Sequence, residues 1–518
     1  MLKSISLLWL VMLSTFVIAQ TNPEKYAAII TAADLKKHLS IVAGQEMEGR
    51  ETGTYGQKKA AAYIETYFKS LNLLPGNAGS YQQIFPLMED SLISSSIKVD
   101  KKAYSFGKDY LMYARANKTR DIQAGSIIFA GYGINDSLYN DYDQLDVNGA
   151  IVVIATGLPR LKNNLTTTPA PVLYGWTLTR KVKEAYSKGA SGVFVISRGM
   201  VTIDSNTASA QRLTGLYLPR QSEEGGGYNY AFISHAMFSG IFKNNAKALL
   251  AAVDSSRNFS ANDHILRKEK IEFNYASATY EKGNSSNVIA VLEGSDKKDE
   301  YVFLTAHYDH LGTKKDVIYF GADDDGSGTV SVLEMATAFA KAKADGNGPR
   351  RTIVFMTVSG EEEGLWGSEY YTDHPLFPLD KVSVDLNTDM VGRIDPKRTQ
   401  ADSMNYVYVI GDDKLSSDLK PISEMINNKY SHLELDYKYN DPKDQERIYY
   451  RSDHYNFARK GVPIIFYFNG THADYHRPTD TVDKINFDLM EKRDRFIFYT
   501  AWEMANRDAM LKRDIPLQ

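Results

Sequence analysis

Residues 301–328 read YVFLTAHYDHLGTKKDVIYFGADDDGSG, and this stretch decides the fold. Tyr301–Ala306 is an apolar run of strand length that turns polar at His307, Asp309 and His310. A loop leads to Asp323, Asp324 and Asp325. From Ser327 and Gly328 onward, Val330, Leu333, Ala336 and Phe339 lie near helical spacing. The pattern predicts strand, loop and helix. In open α/β sheets ligands gather beyond the carboxyl ends of strands. An imidazole and several carboxylates delivered there form the start of a metal site that needs further ligands.

Those ligands are sought after the neighbouring apolar runs. Thr352–Val358 is followed by Ser359-Gly360-Glu361-Glu362-Glu363-Gly364, and Val382–Leu386 by Asn387-Thr388-Asp389. Pro463–Phe468 is followed by a polar loop ending in Tyr475-His476-Arg477-Pro478. One such ending is an ordinary solvated strand end; four in succession are not. Helical segments separate the runs, which predicts a mainly parallel sheet with helices on both faces, an α/β/α core. Two histidines and three carboxylates suffice for two metal ions sharing one carboxylate, with positions left for water. Glu361 and Glu362 are adjacent, so one can ligate while the other accepts a proton.

The motifs HYDH, GADDDGSG, SGEEEGLWGS, NTDMVG and YHRPTDT stand in an order that resembles the co-catalytic two-zinc aminopeptidases. That family includes bacterial leucyl-type aminopeptidases and relatives of glutamate carboxypeptidase II and the transferrin receptor. The resemblance implies two zinc ions per subunit. His307 and Asp389 would bind one, Glu362 and His476 the other, and Asp324 would bridge them. It further implies Glu361 as general base, Asp309 as the group that orients His307, and Tyr475 as a candidate oxyanion stabiliser. His310 is expected to support the site rather than ligate. Glu363 is expected to cap the following helix, and Asp480 to support His476 or start a helix. His472 is expected to make a loop hydrogen bond, and Asp453 and His454 to pack or hydrogen-bond nearby. His38, His235, His264, His374 and His432 fall outside these motifs.

The rest of the 518-residue chain bounds this reading. A net charge of −4 with no long basic run excludes a nucleic-acid surface. There is no cysteine, hence no disulfide and no thiolate nucleophile. Lys3 followed by a mostly apolar Ile5–Ile18 predicts a signal peptide over 1–19, with export to a periplasm or outside the cell. No later run is long enough to span a membrane. Residues 20–118 are expected to form the N-terminal part of the peptidase domain, with helices on either side of the glycine-rich Gly44–Gly56. Residues 119–275 read as a small α/β unit that resembles a protease-associated domain, and 276–518 as the catalytic domain. The expected activity is removal of N-terminal residues from peptides with a free N-terminus. A carboxypeptidase using Arg393, Arg447 or Arg451, a glutaminyl cyclase, and a non-catalytic receptor-like protein are the alternatives.

Overall fold

The computed structural model describes residues 22–113, 119–160, 173, 175–197, 203, 213–219, 228–260, 263–399, 402 and 404–517. The expected signal peptide lies outside them. The chain divides into two compact units. One holds the chain up to Phe85 and from Asn284 onward; the other is Pro86–Gly283.

The first unit contains every residue singled out above for chemistry. Its strands are β1 (Ile271–Leu292, of which the last residues belong here), β2 (Lys297–His307), β3 (Arg351–Val358), β4 (Val382–Thr388), β5 (Tyr406–Ile410), β6 (Glu434–Asp436) and β7 (Ile464–Phe468). They lie in the order β1-β3-β2-β4-β7-β5-β6. The pairs β3/β2, β2/β4, β4/β7 and β5/β6 are parallel, whereas β1/β3 and β7/β5 are antiparallel. The predicted mainly parallel sheet is therefore present, with antiparallel strands outside its centre.

The sheet is apolar on both faces because helices cover both. Val302, Leu304 and Ala306 of β2 pack into one core with α1 (Ala32–Val42), α2 (Tyr55–Ser70), α3 (Gly328–Ala344) and α5 (Phe487–Asn506). Phe303 points the opposite way, into a core with Tyr371 of α4 (Trp366–Asp373) and Phe457. This two-residue alternation within one strand follows from the pleat. It gives the expected α/β/α layering. The register sets His307 of β2 level with Val358 at the end of β3. Parallel neighbours thus deliver His307 and the Ser359–Gly364 loop to the same edge.

The second unit has a six-stranded sheet, in the order Ile265–Arg267, Ile127–Phe129, Ile151–Ala155, Gly192–Ile196, Tyr230–Ile233 and Tyr110–Tyr113. Its inner pairs are parallel and its outer pairs antiparallel. Helix Leu178–Ser187 supplies Val182 and Ala185 to one face. The unit predicted over 119–275 lies within this one. No helix among the described residues is long and apolar enough to cross a membrane.

Candidate metal centre

Five segments converge at the carboxyl edge of β2, β3 and β4. His307 is the last residue of β2 and is 1% exposed. Its Nε2 lies 3.4 Å from Asp324 Oδ1 and 3.7 Å from Asp389 Oδ1. His476 Nε2 lies 3.1 Å from Asp324 Oδ2 and 3.0 Å from Glu362 Oε2. Asp324 thus offers one oxygen to each imidazole. All five residues expected to ligate are brought together, with Asp324 between the two pairs. Two sets of donors compact enough for one ion each are present: His307, Asp324 and Asp389, and His310, Asp324 and Glu362.

The chemistry of this set fits two borderline-soft divalent ions. Donors around a tetrahedral zinc with bonds of about 2.0–2.1 Å stand roughly 3.3 Å apart. The separations above bracket that value. Several of the atoms have no aligned hydrogen bond although they are buried: His307 Nε2, Asp324 Oδ2, Glu362 Oε1 and both ring nitrogens of His310. Unpaired buried polar atoms cost free energy, and here they cluster on the atoms a metal would use.

The field tells the same story. Burial alone would lower the His307 imidazole, but Glu361, Asp389, Asp309 and Asp324 overcome it and hold its pKa well above the ordinary value. Burial would raise Asp324, yet His307, His476 and His310 keep it well below the usual carboxylate range. Burial likewise opposes protonation of His476, and Asp324 and Glu362 push it up to about 10. Without metal the carboxylates pull protons onto the imidazoles, as expected of a pocket built to hold cations.

Glu361 stands beside the His307 pair, its Oε2 3.9 Å from His307 Nε2. Burial, reinforced by Glu362 and Asp389 and opposed by His307, raises its pKa well above the carboxylate range. A carboxyl so tuned can accept and later return a proton. A cleft opens onto Asp324, Glu361, Asp389 and Tyr475, with Met390, Ile448, Phe466 and Phe468 as apolar walls. Tyr475 stacks on His476 with ring centroids 3.9 Å apart, and its hydroxyl accepts from Arg451 at 3.3 Å.

Asp309 connects three segments. His307 Nδ1 is 3.2 Å from its carbonyl oxygen and 3.6 Å from its carboxylate. The carboxylate accepts from the Thr52 hydroxyl at 2.8 Å and the Glu361 amide at 3.2 Å. Imidazoles on metals are ordinarily oriented this way through the other ring nitrogen. Asp325 accepts from the amides of His307, Gly328 and Met390, which fixes the loop below the site. Ser452 donates to Asp389 Oδ2 at 2.6 Å.

Two expectations change. Glu363 does not cap α4: the N-cap is Leu365, in left-handed conformation, with no side-chain cap bond. Asp480 accepts from the amides of Asp323 and Asp324, so it supports the bridging loop rather than His476. His472 makes the expected loop hydrogen bond, its Nδ1 accepting from the Asp474 amide at 3.2 Å, and its Nε2 also lies 3.2 Å from Asp323 Oδ2. Asp453 and His454 do pack as expected: Asp453 accepts from Ser368 at 2.5 Å, and His454 stacks on Phe466. Thr52, Asp325 and Ser452 were not among the predicted residues. Asp325 alone carried a signal, its place in the acidic run.

Residues 287–501 match the model of peptidase family M28. That match spans less than half of the 518-residue chain. A "Probable zinc metalloprotease" of Pyrenophora tritici-repentis is 27% identical over 264 residues, covering 43% of this chain and 52% of that protein. A "Probable leucine aminopeptidase" of Arthroderma otae is 28% identical over 242 residues, covering 46% of this chain and 62% of that protein. The chain thus matches little more than half the length of these relatives. The aminopeptidase from Aneurinibacillus sp. strain AM-1 shares the fold, with a TM-score of 0.52 at 19% identity, over 96% of this chain and 100% of that one. The matched residues include every candidate metal donor described above.

Proposed function

We propose that the chain is an exported zinc aminopeptidase that hydrolyses N-terminal residues from peptides at a two-metal centre. One observation carries the reading. Asp324 stands between two imidazole–carboxylate pairs, and Glu361 lies beside them at the mouth of a cleft. The M28 match and the names of its relatives support the same chemistry.

His307 and Asp389 would hold one ion, Glu362 and His476 the other, and Asp324 both. When bound, such ions polarise a carbonyl and make water acidic enough to attack near neutral pH. Glu361 takes the proton from the attacking water on its carboxylate and returns it to the leaving amine. The apolar walls Met390, Ile448, Phe466 and Phe468 receive an apolar side chain of the substrate and exclude water. Tyr475, held by the stack on His476 and by Arg451, is placed to hydrogen-bond the oxygen that gains charge.

A carboxypeptidase is the second reading, because Arg451 lines the cleft and can grip a terminal carboxylate. Arg393 is instead paired with Asp474 at 3.1 Å. The test compares free and end-blocked peptides on the wild type and Glu361→Gln. We expect cleavage only of peptides with a free N-terminus, lost by at least about a hundredfold in the variant while zinc content stays unchanged. Near-full turnover in Glu361→Gln would overturn the role of Glu361. Cleavage of N-blocked peptides alone would overturn the aminopeptidase.

A further inference from the structure

We propose that His310 is a fourth protein ligand on the His476 side of the centre. The proposal rests on the zinc-centre reading above and goes beyond it. His310 is 1% exposed, with its side chain wholly buried. Its Nδ1 lies 2.7 Å from Glu362 Oε1 and 3.7 Å from Asp324 Oδ2. Despite the short approach to Glu362, neither His310 Nδ1 nor Glu362 Oε1 has an aligned hydrogen bond. Two polar atoms within contact range but misaligned are placed to share a cation rather than a proton. A buried imidazole with neither nitrogen satisfied costs about 1–3 kcal/mol and calls for a partner.

The ring is also held in place. Gly321 has φ +57°, and a Cβ there would come within 2.4 Å of His310 Cγ, so only glycine leaves room for the imidazole. The ring centroids of His310 and His476 are 5.9 Å apart, both beside Asp324 and Glu362. That side therefore musters two imidazoles and two carboxylates. The other musters His307, Asp324 and Asp389, three donors.

The experiment titrates zinc into metal-free wild type, His310→Ala and His310→Gln. It also records the visible absorption of each protein loaded with cobalt(II). Melting of each metal-free protein reports folding, and His310→Gln decides by the same readouts if the alanine variant does not fold. The wild type is expected to bind two ions. The variants should keep one site near wild-type affinity, lose at least about tenfold at the other, and change the cobalt spectrum of the weakened site. Two ions bound with unchanged affinities and spectrum would overturn the proposal. Weakened affinity with an unchanged spectrum would also overturn it, making His310 a support for Glu362 instead. A wild type that binds fewer than two ions would overturn both this proposal and the reading it rests on.

Discussion

Asp385 shows how one buried carboxyl away from the metal donors sets a pH response. It is fully buried in β4, and burial, opposed by the hydrogen bond from Thr305 and reinforced by Asp453, raises its pKa to about 8. The Thr305 hydroxyl donates to its Oδ1 at 2.7 Å. Unfolded, the group ionises near 4. Between those values the native chain keeps a proton that the unfolded chain releases, so stability falls as pH rises. The slope is at most about 1.4 kcal/mol per pH unit. The contribution is fully present below pH 4 and gone above about 8. Asp385→Asn keeps the acceptor for Thr305 and removes the titration. Its midpoint in urea should therefore gain on wild type steadily from pH 5 to 7.5. A gap constant across that range would show that the carboxyl is ionised in the native chain. The candidate metal donors were legible at this scale because His307, Glu362, Asp389 and His476 follow apolar strand runs and Asp324 stands in the acidic run before α3. Thr52 and Ser452 were not, since a buried hydroxyl is recognised only by the remote partner it meets.

At the scale of elements, loops are held by side chains that belong to other segments. Arg50 is fully buried and donates to the carbonyl oxygens of Val42, Tyr308, Phe320 and Gly321. It lies in a glycine-rich segment that the sequence marks only as a polar connection, yet it ties the end of α1 to the loops after β2. Burial lowers its pKa to about 10, and Asp309, Asp325, Asp324 and Asp480 resist that shift. Arg50→Met keeps the bulk but leaves buried carbonyls unpaired. At about 1–3 kcal/mol each, and less than additive, the expected loss is about 3 kcal/mol or more in urea unfolding. A loss under about 1 kcal/mol would mean that water or a backbone shift replaces the guanidinium. Asp480 plays the matching part for Asp323 and Asp324. The sequence placed it beside His476 because those residues are close in the chain; its bonds run instead to amides more than 150 positions away. Strand and helix positions follow from local periodicity, but these ties depend on how loops cross, which no local pattern encodes.

Across the whole molecule, the metal and the two units make separate thermodynamic demands. Among the described residues, both donor sets lie within the first unit, at positions 307 to 389. The second unit, Pro86–Gly283, is one continuous segment with its own sheet and cores. A ligand that binds only the native form stabilises the unit that holds it, by about 4 kcal/mol when free metal is a thousandfold above its dissociation constant. For a chain of two units a single melting temperature is not a defined quantity. Scanning calorimetry with zinc and with a chelator should then resolve two transitions. The one belonging to the first unit should move up by several degrees with zinc, and the other should stay. The fragment 86–283 alone identifies which is which, since it should melt at the unmoved temperature with or without metal. If zinc shifts both transitions together while the fragment melts elsewhere, the units unfold as one cooperative system and the metal stabilises the whole chain.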